Sequence, residues 1–111
     1  YGAPPIEKGP TATARVSVSP SDELLEKSFR RYLAQVGYCY EVRLRKEPEL
    51  KGTVSFSVEI EEGKAAAVTK TANTSEDEML ATCIRKKMLR WKLPAEASGT
   101  VEVSYLLRKE D

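Results

Sequence analysis

Two cysteines and a handful of basic and acidic side chains are the residues of this chain best equipped for chemistry. Cys39 and Cys83 stand 44 positions apart. That spacing is neither a metal knuckle nor a Cys-x-x-Cys redox pair. It leaves one structural disulfide and two buried reduced thiols equally open. Histidine is absent, which removes Ser-His-Asp and Cys-His catalysis together with the usual zinc site. Arg85, Lys86, Lys87 and Arg90, with Lys92, form a basic group able to meet phosphate or an acidic partner. A solvated helix back that complements the helix dipole is the simpler account of it. Arg30, Arg31, Arg43, Arg45 and Lys46 read the same way. Glu59, Glu61, Glu62 and Glu102 would need an apolar pocket to split their pKa values for acid–base work, and the sequence gives no sign of one. No catalytic, cofactor-binding or metal-ligating set emerges, and a non-enzymatic chain is expected.

The totals agree with a small folded unit. With 111 residues, 41% of them hydrophobic and 32% charged, the chain has room for one globular domain. Eighteen basic against seventeen acidic residues leave +1, so no global field favours nucleic acid or anionic lipid. No apolar run approaches the ~20 residues that span a bilayer. The first residue is Tyr1 rather than Met, as expected of a piece of a longer protein.

Several elements must position these residues. Residues 1–13 hold three of the six prolines and two of the six glycines, the composition of a flexible linker. A short strand is expected over 14–18. Ser19 is placed to cap a helix with Pro20 at its first position. Leu25, Phe29, Leu33 (or Tyr32), Val36 and Tyr40 then recur at helical spacing to about Arg45, with Cys39 flanking the stripe. Gly37 interrupts this helix at a cost of about 1 kcal/mol relative to Ala, which points to close packing against a neighbour. Pro48 ends the segment, and Gly52 lets the chain turn back.

The clearest strand covers 53–61, where Val54, Phe56, Val58 and Ile60 alternate with Thr53, Ser55, Ser57 and Glu59. Glu62-Gly63 makes a hairpin turn into a strand over 64–72. Thr74-Ser75-Glu76-Asp77-Glu78 offers overlapping capping boxes for a second helix carrying Leu80, Ile84 and Met88 to about Arg90. Trp91 is expected as a core plug, and Pro94 stops the helix. A last strand alternates through Val101, Val103, Tyr105 and Leu107.

The expected fold is therefore α+β: a small antiparallel sheet of three or four strands with two helices on one face, in the order (β)αββαβ. The other face, with Ser55, Ser57, Glu59, Glu102 and Ser104, is polar and solvated. Small open sheets have free edges that take extended peptides. The candidate edge is the closing run Val101, Glu102, Val103, Ser104, Tyr105, Leu106 and Leu107, with Arg108 and Lys109 as charge guards. Either an extended partner segment uses it, or residues 14–18 or a second copy of the domain cover it.

The arrangement Cys39-Tyr40-Glu41, Leu50-Lys51-Gly52-Thr53-Val54, Phe56-x-Val58-x-Ile60, Gly63, Cys83 and Leu89-x-Trp91-x-Leu93-Pro94, closing on Val101-x-Val103-x-Tyr105, resembles the TonB C-terminal-like domain. The nearest form is the AgmX/PglI subtype of envelope and gliding-motility proteins. The likeness spans about residues 14–108, and 14–111 is taken as the domain. It implies a periplasmic domain of a longer, inner-membrane-anchored protein. That domain would be joined through its missing N-terminal part to a proton-channel motor complex. Its task would be to pull on an outer-envelope protein by adding an extended segment to the last strand. It also implies a disulfide between Cys39 and Cys83, no cofactor and no nucleic acid. The sequence departs from the family in having Leu93-Pro94 where Phe-Pro is usual, and in closing on Leu106-Leu107-Arg108. Two other functions remain beside this one: a nucleic-acid-binding domain using Arg85, Lys86, Lys87 and Arg90, and a module that dimerises through sheet edges.

Overall fold

Alternating runs and capped amphipathic runs follow one another along the chain. In the computed structural model, which describes residues 11–110, they form β1 (Thr11–Ser19), α1 (Glu23–Arg31), α2 (Leu33–Leu44), β2 (Gly52–Glu61), β3 (Lys64–Asn73), α3 (Glu78–Met88) and β4 (Gly99–Glu110). The strands make one four-stranded antiparallel sheet in the order β1-β4-β2-β3. The expected α+β class holds. Residues 1–10 of the expected linker lie outside the described residues, but 11–13 belong to β1, which starts earlier than its alternation suggested.

Side-chain alternation gives the sheet a dry face and a wet one. Val54, Phe56, Val58 and Ile60 of β2 and Val103, Tyr105 and Leu107 of β4 are buried, and so are Phe29, Val36, Tyr40, Leu80, Ile84 and Met88 from the helices. Each such side chain contributes about 1.5–3 kcal/mol by leaving water, which holds the helices on this face. On the wet face Ser55 and Ser104 share a 2.8 Å hydrogen bond, and Thr71 donates to Glu102 at 2.9 Å. Ser55 is nevertheless buried, shielded by its neighbours on either side.

The first expected helix is two. Tyr32 leaves helical geometry (φ −97°, ψ 7°) and separates α1 from α2. Its ring stacks on Trp91 with centroids 4.7 Å apart, and its hydroxyl donates to the Lys92 carbonyl. A straight helix would carry Tyr32 off this partner. Nor does Ser19 cap α1: it ends β1, and Asp22 accepts the Leu25 N–H instead. In α3 the cap is Asp77, which accepts from the Leu80 N–H, and the helix ends at Met88.

Two glycines are required by backbone geometry. Glu62 (φ 50°) and Gly63 (φ 78°) turn β2 into β3, and a Cβ on Gly63 would come within 2.9 Å of the Leu93 carbonyl oxygen. Gly52 (φ 145°) lies equally close to Ser75 and Thr74.

Candidate functional site

A strand that adds to a sheet needs a row of N–H and C=O groups with no neighbour. The closing strand does not offer one. Glu102, Val103, Ser104, Tyr105, Leu106 and Leu107 stand opposite Ser19, Val18, Ser17, Val16, Arg15 and Ala14 of β1 on one side. On the other side they face Ser57, Phe56, Ser55, Val54, Thr53 and Gly52 of β2. Val101 pairs with Val58 alone. The expectation that 101–107 is the exposed edge is corrected: β1 covers it, because its alternating Ala14, Val16 and Val18 supply a fourth inward row beside Leu107, Tyr105 and Val103. The Lys109 ammonium, expected to guard that edge, donates to the Pro48 carbonyl instead.

Among the described residues the sheet ends at β1 and at β3, and these two edges differ in chemistry. β3 carries the usual protections of an edge. Its pairing with β2 is broken by register shifts at Ser55/Phe56 and Glu59/Ile60, and it bears Lys64 and Lys70. Lys70 is held by Glu78 at 2.6 Å. β1 has no such guard. Its nine residues, TATARVSVS, contain one charge, Arg15, and no proline, and its ladder to β4 runs without a register shift. Among the described residues no strand pairs with its outer edge.

Beside β1 lies a shallow groove lined by Ala12, Ala14, Leu33, Gly37, Tyr38 and Glu41. Its two walls are the inward side of β1 and the outer flank of α2. Small residues make it: the stripe of α2 nearest β1 carries Ala34 and Gly37 where larger side chains would close the gap. The expectation that Gly37 permits close packing is overturned, since a Cβ there meets nothing within 4 Å. The isolated glycine in a helical pattern and the alanines alternating in 12–14 were the available signals of this groove. Neither showed that they would lie together.

Cys39 and Cys83 are bonded, joining α2 to α3 with their Cα atoms 5.9 Å apart. Cys39 is fully buried and Cys83 partly exposed. The bond lies in the helical layer, where it fixes α3 against the helix that walls the groove.

The basic group is dispersed. Arg85 turns toward the sheet and donates from Nε to the Val68 carbonyl at 2.7 Å. The Lys87 ammonium lies 5.7 Å from the centre of the Tyr38 ring, while Lys86 flanks Met79 and Cys83 on another side of α3. Arg90 lies beyond the end of the helix. Consecutive positions project about 100° apart on a helix, so Arg85, Lys86 and Lys87 point in different directions. The carboxylates do not assemble either: Glu59 stands opposite Thr100 and Glu102 opposite Ser57. Among the described residues no group of three or more His, Cys, Asp or Glu side chains is placed to hold a metal ion. Trp91 is buried as expected, with its indole N–H donating to Gln35 at 2.9 Å.

No family model, no curated protein and no solved structure matches this chain.

Proposed function

We propose that this chain is a non-enzymatic protein-binding domain that extends its sheet with a segment of a partner. The observation that carries this reading is the long, unguarded outer edge of β1 beside a well-protected β3. Main-chain hydrogen bonds to such an edge supply affinity with little dependence on sequence, and neighbouring pockets add selectivity. The added strand joins β1, since the last strand is already paired on both sides.

The resemblance to TonB C-terminal-like domains points to the periplasm as the setting of this activity. There the domain would transmit force from an inner-membrane proton-driven motor to an outer-envelope partner. Two features support that setting. The Cys39–Cys83 bond suits an oxidising compartment. β4, held by ladders to β1 and to β2, resists a pull along its length on both sides at once.

Selection of displayed random peptides on the oxidised domain tests the binding function, with peptides as long as the nine residues of β1. Peptides enriched over an unrelated disulfide-bonded control are expected. A pool that stays unenriched overturns the proposal.

A further inference from the structure

The outer edge of β1 and the groove beside it occupy one place, and among the described residues no strand pairs with that edge. A glycine inside a helix is costly, because it surrenders more backbone freedom than any other residue. Close approach by a neighbour usually compensates, yet a Cβ on Gly37 would meet no described residue within 4 Å beyond its own helix's backbone. That space is a groove of about 360 Å³. One of its walls is Ala12 and Ala14, the inward residues of the edge strand itself. A further strand paired with β1 would run about 4.8 Å outside it. Its inward side chains would then descend along the flank of α2, over Gly37.

We propose that the outer edge of β1 and this groove form one docking site for an extended segment of another protein, whose bulky side chains seat over Gly37. The proposal rests on the sheet-extending function above and adds where the segment lies and what it carries. The small walls leave room for a large inward side chain at alternate positions, and Tyr38 and Glu41 in the lining favour one with a polar tip, such as Tyr or Trp. On the opposite face Arg15 is exposed beside Leu106, so an acidic residue is favoured at the position of the added strand next to Arg15. A second copy fits less well. An antiparallel pairing of β1 with β1 centred on Arg15 would bring two Arg15 side chains together.

The probes are the peptides enriched by the selection above. Binding is measured by titration calorimetry to the oxidised wild-type chain and to Gly37→Leu, with Gly37→Ala as the milder variant. Far-ultraviolet circular dichroism confirms that both variants are folded. The enriched peptides are expected to alternate bulky and polar residues and to include an acid. Gly37→Leu is expected to weaken them at least about tenfold (roughly 1.4 kcal/mol) and Gly37→Ala by less, with no loss of thermal midpoint. Proline placed singly at Ala14, Arg15 and Val16 gives a second readout. Where the N–H points outward the domain stays folded and loses the peptide, and where it points at β4 the domain is destabilised.

Peptides that bind Gly37→Leu as tightly as wild type, or whose binding is abolished by Thr69→Pro on β3, would overturn the docking site while the binding function stands. A wild-type dimer disrupted by Gly37→Leu would overturn it in favour of a second copy. Tighter peptide binding after removal of residues 1–10 would overturn it in favour of the chain's own N-terminal segment. An unenriched pool would remove both proposals.

Discussion

Val18 stands opposite Val103 across the β1–β4 ladder, so the last strand has a neighbour from its own chain where a partner was expected. Val103 is fully buried between Val18 and Phe56. Val103→Pro therefore does not act as a clean edge block. It removes a ladder hydrogen bond from an interior strand and leaves a buried carbonyl unpaired, at a cost of about 1–3 kcal/mol before any steric clash. Loss of a cooperative thermal transition by circular dichroism is the expected result. A variant that melts like wild type would show that β1 does not hold this position.

The Cys39–Cys83 bond closes a long loop across the helical layer, with 44 positions between its ends. In the chain-entropy account such a bond stabilises by about 4 kcal/mol. Reduction, or the pair Cys39→Ser and Cys83→Ser, should lower the denaturant midpoint and steepen the slope, because the denatured chain without its crosslink exposes more surface. An unchanged midpoint would contradict that estimate.

Asp77 ties α3 to α2. It caps α3 through the Leu80 N–H at 3.0 Å and pairs with Arg43 Nε at 2.8 Å. Burial pushes its carboxyl up, but the Arg43 hydrogen bond, the backbone N–H groups and the Arg43 charge outweigh this and hold it below the usual carboxylate range. Its folded value thus lies below its unfolded value of roughly 3.9. The stability it contributes is present above that pH and is lost as pH falls through the folded value. Asp77→Ala should cost about 2 kcal/mol near neutral pH. Asp77→Asn keeps the cap, costs less and flattens the acid side of the stability profile. Chemical denaturation at several pH values reads both effects.

Tyr105 is buried in the centre of the sheet, and its hydroxyl finds no hydrogen-bond partner among the described residues. Burial alone pushes its pKa well above the ordinary tyrosine value. The ring does the packing, edge-on to Phe56 at 6.3 Å. Tyr105→Phe removes an unpaired polar atom and should raise stability by about 1 kcal/mol. A lower melting temperature would mean that the hydroxyl has a partner after all.

Much of the architecture is legible in the residues because local rules and burial agree. Val54, Phe56, Val58 and Ile60 alternate and all face the core, and Glu62-Gly63 turns the chain where expected. The break at Tyr32 was not legible, because it depends on a ring 59 positions away, Trp91, that no local pattern brings near. The capping of α1 by Asp22 rather than Ser19 has a similar cause. The pairing of β1 extends through Ser19, so the helix starts later than the Ser-Pro pair suggested.

The candidate site divides in the same way. Alternation identified 101–107 as a strand, but whether it is an edge depends on strand order, which alternation does not encode. Residues 14–18 were the sequence's own competitor for that edge, and β1 prevails with four further pairs at Thr11, Ala12, Thr13 and Ser19. The pairing of the cysteines likewise needed α2 and α3 to be packed side by side.

The central claim is that an extended partner segment adds to β1. Backbone amide hydrogen exchange on the oxidised domain, with and without an enriched peptide, tests it most directly. New protection is predicted at alternate amides of Thr11–Ser19 and on the flank of α2 around Gly37, with Lys64–Asn73 unchanged. Protection confined to Lys64–Asn73, or loss of protection in β1 as the peptide takes its place on β4, would contradict it.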